Sequence, residues 1–285
     1  MAIHLQDIKI TARRARTIHD QLKRILPDYT AFSAVRPRGP SRRYNLGVMT
    51  LIRNDVAFTT TRVHLSDLLP DADQLLLPKT AGRLLVLKSK PTGAHGELWH
   101  VNLYAPTNSA SPTHRNAFYT VWEAALSAAR ERGAALVAAG DFNATFHDCQ
   151  RRAERKPTTS DNRLRRTLQR FNGAGALRPA EDCGYSWEAL SGQHAADLDH
   201  VLMFPASAGI SERSLLPRLE PGLDHLPVLA MLDDSVVGTP VHVHADPGHH
   251  RARAHTGPPP AIACRHNGHQ AMVGGCCRFR ATGPG

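Results

Sequence analysis

The chain has few cysteines, and none of them falls in CxxC spacing: Cys149, Cys183, Cys264, Cys276 and Cys277. An odd count without paired spacing argues against a disulfide framework and for a reducing compartment. No apolar run approaches the roughly 18 residues that cross a bilayer. The opening Met1-Ala2-Ile3-His4-Leu5-Gln6-Asp7 lacks the charged and apolar regions of a signal peptide. The expectation is a soluble intracellular protein with no membrane partner. Internal repeats are absent, which excludes solenoids and propellers. Acidic charge is in deficit, 25 Asp+Glu against 35 Lys+Arg for a net charge of +10. Such a balance favours an anionic partner such as a nucleic acid or a phosphorylated substrate.

With 41% hydrophobic residues in 285, the chain can build one large core. Periodic apolar patterning stops after Asp234. Residues 235–285 hold 7 of the 17 His, 6 of the 20 Pro and 8 of the 21 Gly, a composition that buries too little apolar surface to offset ordering. A disordered tail over 235–285 is therefore expected behind a domain over 1–234. Cys264, His266, His269, Cys276 and Cys277 in that tail match no zinc-finger spacing.

Within 1–234, apolar residues at Ile18, Leu22, Ile25 and Leu26 predict a helix over Ala12 to Leu26, stopped by Pro27. Strands are expected over Leu46 to Arg53, Arg83 to Lys88 and Glu97 to Tyr104, the last two joined by a turn at Pro91-Thr92-Gly93. A long helix follows, from about Thr113 to Arg132. Pro112 opens it, Gly133 closes it, and Phe118, Val121, Trp122, Ala125, Leu126 and Ala129 form its apolar stripe. Ala134 to Ala139 reads as a strand buried on both faces, Asn162 to Phe171 as a helix, and Leu198 to Phe204 and Pro227 to Leu232 as further strands.

Chemistry-bearing residues sit at the ends of these strands. Gly140-Asp141-Phe142-Asn143 follows the apolar run, and Asp199-His200 and Asp224-His225 adjoin the two later strands. Phosphoester hydrolysis needs a metal held by carboxylates, a carboxylate near the attacking water, and donors on the phosphate oxygens. Asp, Asn and His supply those roles. An ordinary Asx-turn would account equally well for Asp141 and Asn143 taken alone.

Five blocks in order, Leu5-Gln6-Asp7, Asn102-Leu103-Tyr104-Ala105-Pro106, Gly140-Asp141-Phe142-Asn143-Ala144, Asp199-His200-Val201-Leu202 and Asp224-His225-Leu226-Pro227-Val228, resemble the endonuclease/exonuclease/phosphatase superfamily. Its members include DNase I, apurinic/apyrimidinic endonucleases and the endonuclease domains of LINE-type retrotransposons. Tyr185-Ser186-Trp187 ahead of Asp197-Leu198-Asp199-His200 is most similar to the retrotransposon and apurinic-site branches. The resemblance implies a DNase I-like four-layer α/β sandwich, two packed mixed β-sheets flanked by helices. It implies that Asp141 orients or deprotonates the attacking water, that Asn143 and the Tyr104 hydroxyl donate to the phosphate, and that His225 contacts a phosphate oxygen with its imidazole held by Asp199. It assigns Asp7 and Asp224 to Mg²⁺, with Mn²⁺ as the alternative ion, DNA to the substrate, and the nucleus to the location if the chain is a retrotransposon-type nuclease. It identifies no protein partner.

His200 and His194 are read as incidental surface or strand-edge histidines. Arg151, Arg152, Arg155, Lys156 and Arg163 are phosphate ligands or simply a solvated basic loop. Two departures stand out. The family's first strand, with its metal-site Asn, is missing ahead of Leu5, which predicts an exposed sheet edge. Asp7 also stands where the family has a longer Glu. Three functions follow: a Mg²⁺-dependent DNA endonuclease, a catalytically impaired relic that binds nucleic acid, or a small-molecule phosphodiesterase or phosphatase on the same fold.

Overall fold

The computed structural model describes residues 1–9, 11–36, 46–54, 58–91, 96–147, 150–151, 156–175, 185–189, 191, 193–208, 210–216, 224–232 and 272–278. The expected turn residues Thr92 and Gly93, the loop residues Arg152 and Arg155, and the expected tail outside 272–278 lie outside the described residues. In chain order the main elements are β1 (Ala2–Gln6), α1 (Ala12–Ile25), β2 (Tyr29–Val35), β3 (Gly47–Arg53), β4 (Phe58–Val63), α2 (Leu77–Thr80), β5 (Leu84–Pro91), β6 (Leu98–Tyr104) and α3 (Pro112–Glu131). They continue with β7 (Ala135–Asp141), α4 (Thr159–Phe171), β8 (Ala174–Gly175), β9 (Trp187–Glu188), β10 (Ala195–Ala196), β11 (Asp199–Phe204), β12 (Ile210–Leu215), β13 (Val228–Leu232) and β14 (Met272–Arg278).

Two six-stranded sheets, in the orders β12-β13-β14-β1-β3-β2 and β4-β5-β6-β7-β11-β8, form the centre. Both are mixed, because β1 with β14 and β6 with β7 run parallel among otherwise antiparallel neighbours. Strand periodicity explains the layering. On β7, Val137 and Ala139 pack with Val201, Met203 and Ala230 between the sheets. The alternate residues Leu136 and Ala138 pack with Phe118, Trp122 and Ala125 of α3 on the outer side. On the far side, Ile18 and Leu22 of α1 cover Met49 and Leu51 of β3. The result is helix, sheet, sheet, helix.

Local signals set the helix ends. Thr11 caps α1 by accepting from the Arg14 N–H, and Lys23 and Arg24 in the last turn complement the helix dipole. Ser111 caps α3, Pro112 occupies its first turn, and Gly133 takes φ 64° just beyond its end. Helix α4 begins three residues before the expected Asn162, because Thr158 and Asp161 form a reciprocal capping box. No helix among the described residues is long and apolar enough to cross a membrane.

A fully buried polar seam joins the sheets. The Asn102 amide on β6 donates to the Met49 carbonyl at 2.7 Å and to Thr50 Oγ1 at 3.1 Å, both on β3, while its Oδ1 accepts from Gln6 Nε2 at 2.6 Å. His4 Nδ1 lies 3.2 Å from Thr50 Oγ1, and the His4 and His100 rings are 6.3 Å apart. Burial, then the nearby His100, pushes His4 down from 6.5 to about 3; burial, then the N-terminal charge, pushes His100 down to about 4.

The sheet edge expected to be exposed by the missing first strand is instead paired by β14. Residues of the expected disordered tail insert between β1 and β13: Gly274 is in register with Ile3 on one side and Leu229 on the other. Without β14, both flanking strands would present unpaired N–H and C=O groups, and this drives the pairing even though 272–278 lacks an alternating apolar pattern.

Two outcomes are expected. Gly274→Pro removes a ladder donor from an interior strand, a change worth about 3 kcal/mol, so the thermal midpoint should fall by roughly 6 to 12 °C; an unchanged midpoint would show that β14 does not contribute. The buried neutral histidines give stability that is complete above pH 6.5 and lost as pH falls from 6.5 toward 4, because the unfolded chain takes up protons that the folded one refuses. Each contributes at most about 1.4 kcal/mol per pH unit. Urea midpoints measured from pH 8 to pH 5 should show this fall, and less of it in His100→Gln.

Candidate active site

The strands that carry the expected site residues end at one rim. Tyr104 at the end of β6 is in register with Asp141 at the end of β7, and Asp141 is in register with Asp199 at the start of β11. Gly140 permits this arrangement. A Cβ there would collide with the Leu103 carbonyl, so β6 and β7 could not approach as they do.

Asp141, Asp199 and His225 meet at this rim, with their ligand atoms all within 4.8 Å of one another. All are buried, at 2%, 0% and 5% exposure. His225 Nδ1 lies 2.7 Å from Asp199 Oδ2. This contact fixes the imidazole plane and sets Nδ1 as the protonated nitrogen when the ring is neutral, so that the lone pair lies on Nε2. Asp141 Oδ1 accepts from the Asn143 N–H at 2.9 Å, and the Asn143 amide donates to the Ala105 carbonyl at 2.9 Å. The turn is thus an Asx-turn and part of the site at once. Asn143 holds φ 48°, a left-handed conformation that Asn tolerates better than most residues.

Asp7 and Asp224 lie outside that group of three. Asp7, at φ 50° just past β1, is 3.4 Å from the Lys9 ammonium. Asp224 Oδ2 accepts from the Trp187 indole N–H at 3.3 Å. The Tyr104 ring lies 5.2 Å from the Arg83 guanidinium, whose Nη1 donates to the Tyr104 carbonyl. Burial lowers the Arg83 pKa, against the upward pull of Tyr104, Asp7 and Asp141, so these groups share one electrostatic neighbourhood.

A cleft of about 350 Å³ opens here, with Asn143, Arg151, Trp187, His194 and His225 on its walls. His194 is exposed and lines the cleft. His200 is corrected: it is a buried residue at 2% exposure, and its Nε2 lies 2.8 Å from the Ala144 carbonyl in the turn after Asp141. Burial pushes it down to about 4, against the raising effect of that hydrogen bond, so it donates from a neutral ring. Arg163 is not a free phosphate ligand either, since it pairs with Glu123 at 2.9 Å.

Three supporting residues escaped the sequence reading. Ser186 Oγ accepts from the Leu198 and Asp199 N–H groups at 2.9 and 3.0 Å, and its carbonyl accepts from the Leu226 N–H. It therefore ties the start of β11 to the segment bearing His225. Asp197 accepts from the Ser186 N–H and pairs with buried Arg213 at 3.3 Å. Asp161 accepts from the Thr145 and Thr158 N–H groups, both at 2.7 Å, and from Arg151 Nη2. The Thr158-x-x-Asp161 spacing was a legible capping signal; Ser186 and Asp197 stand in the segments that carry the family resemblance, but their supporting roles depend on contacts 11 to 40 residues away.

A sandwich with two buried carboxylates, an Asp-paired histidine and an amide at one rim defines a member of the nuclease and phosphatase class. Residues 10–225 match the model of the Endonuclease/Exonuclease/phosphatase family, and the chain belongs to that family. Among solved structures it resembles AP endonuclease LMAP from Leishmania major (16% identity, TM-score 0.54, 80% of this chain and 86% of that one). It also resembles the Xenopus laevis APE2 catalytic domain (17%, 0.55, 81% and 91%) and the 3' phosphatase NExo from Neisseria bound to a product DNA hairpin (18%, 0.50, 82% and 99%). At these identities the likeness establishes the fold. No curated protein matches the chain.

Ser186→Ala should destabilise the domain by about 2 kcal/mol, because two buried N–H groups lose their acceptor. Chemical denaturation checks this; a loss below about 0.5 kcal/mol would mean that solvent reaches those groups.

Proposed function

We propose that the chain hydrolyses phosphodiester bonds in DNA. The observation that carries this reading is the convergence of Asp141, Asp199 and His225 within 4.8 Å, with His225 on the wall of an open cleft. In this reading Asp141 orients or deprotonates the attacking water. His225, with Nδ1 engaged by Asp199, offers Nε2 to a phosphate oxygen, as a donor when the ring is protonated. Asn143 lines the same cleft. The net charge of +10 supports a polyanionic substrate.

The donor set fits a divalent cation. Two buried carboxylates this close repel each other, and a cation between them relieves that repulsion. Asp141 and Asp199 would hold it, with Asp7 and Asp224 further along the rim, and their oxygens suit Mg²⁺ or Mn²⁺. Such an ion supplies charge stabilisation at the phosphate and acidifies bound water.

The competing reading, a catalytically impaired domain that binds nucleic acid, is favoured by the engagement of Asp7 with Lys9 and of Asp224 with Trp187. Supercoiled plasmid with Mg²⁺ separates the two. Nicked circles should accumulate at least about 10²-fold faster than with Asp141→Ala, and chelation should stop them. Nicking no faster than Asp141→Ala would overturn the nuclease reading, and cleavage of a soluble phosphomonoester without nicking would replace it with a phosphatase.

A further inference from the structure

Arg151 is a cation on the wall of the cleft that also holds Asn143 and His225, and its side chain is only 19% exposed. It is fixed at both ends. Its backbone bridges to Ala196, which also lines the cleft, and its Nη2 contacts both oxygens of Asp161 at 2.8 and 3.0 Å. Because both contacts use Nη2, the Nη1 and Nε donors are not committed to that carboxylate.

Asp161 does not need the arginine for its hydrogen bonding. The Thr145 and Thr158 N–H groups, with Thr145 Oγ1 at 3.3 Å, already reach its side-chain oxygens. Burial pushes its carboxyl up, but those backbone donors, with Thr158 and Arg151, outweigh the effect and hold it below the usual carboxylate range. It is therefore an ionised anchor joining the turn after Asp141, the start of α4 and the guanidinium.

A guanidinium whose position is fixed before binding loses little freedom when it takes an anion, and its planar fork matches phosphate oxygens. With Asn143 and His225 facing the phosphate under attack, a separate cation on the same wall suits a second phosphate. Resting on the phosphodiesterase reading, we infer that Arg151 binds a backbone phosphate next to the one that is cut, and that Asp161 is the positioning residue that holds Arg151 there. The site would thereby favour polynucleotides over substrates with a single phosphate.

The test is binding of a fluorescent DNA duplex to the full chain over a salt series. The variants are Arg151→Gln, Arg151→Lys and, as a control with equal charge loss, Arg170→Gln, whose side chain is 64% exposed and pairs with Glu123. Arg151→Gln should weaken binding about tenfold and reduce the salt slope by about one, with Arg151→Lys between it and wild type. In the nicking assay its loss should fall on KM more than on kcat. Asp161→Asn should weaken binding less, and combined with Arg151→Gln it should add nothing, as for residues acting through one another. If Asp161→Asn proves too unstable, Arg151→Gln decides alone, since Asp161 keeps its other donors. Arg151→Gln with wild-type affinity and slope overturns the inference, as does an equal loss in Arg170→Gln or a wild type that binds no DNA. A wild type that binds with the Arg151 dependence but does not nick removes the hydrolysis reading and leaves the phosphate site standing.

Discussion

Asn102 sits at the point where the two sheets must agree. Its side chain is wholly buried, and it spans the interface from β6 to Gln6 and to the β3 backbone. Burying an amide without partners costs several kcal/mol, whereas a satisfied one is roughly neutral or favourable. The contacts are therefore a registration device more than a source of net stability. A slip of one residue in β6 would turn Asn102 toward α3 and strand its donors in an apolar layer. With Asn102 in place, Tyr104 two residues on and Asp141 beside it in β7 arrive at the rim together with Gln6 and Asp7 of the opposite sheet.

The same rim depends on what lies between β1 and β13. Asp7 follows one of these strands and His225 precedes the other, so the strand between them sets their separation. β14 fills that position with backbone alone as the visible cause, since two neighbouring ladders must be satisfied from one segment. A 39-residue connection costs only slightly more loop entropy than a short one, because closure entropy grows with the logarithm of length. Pairing across such a distance is therefore affordable where local contacts offer nothing better.

This contrast marks how far the sequence could be read. Helices α1 and α3 were legible because period, cap and stop signals all lie within one short window, and the ends agree to within a residue. The Gly140 to Asn143 turn was legible because the strand before it is apolar on both faces. β14 was not, because Met272–Arg278 has no alternation and carries Gly274-Gly275, which reads as a turn, and its reason for being a strand lies in residues 2–6 and 228–232. His200 was misread as a surface residue for a related reason: its neighbours Phe142 and Phe146 come from the loop after another strand, and burial created by distant aromatics leaves no trace in the local pattern.

Asp141 and Asn143 show why turn chemistry and the proposed catalytic chemistry are hard to tell apart. The Asx-turn fixes the Asp141 carboxylate by making it accept from the Asn143 N–H, and Asn143 is held in its left-handed conformation by donating to Ala105. A site needs its carboxylate held in one rotamer, and accepting from a backbone N–H two residues ahead achieves this without a further side chain. His200 then fixes the next carbonyl, Ala144, and Asp161 the next N–H, Thr145. Three consecutive positions of the turn, Asn143, Ala144 and Thr145, are thus pinned by partners from the loop after β6, β11 and α4. The rigidity of the centre comes from these supporting contacts as much as from the residues that face the cleft.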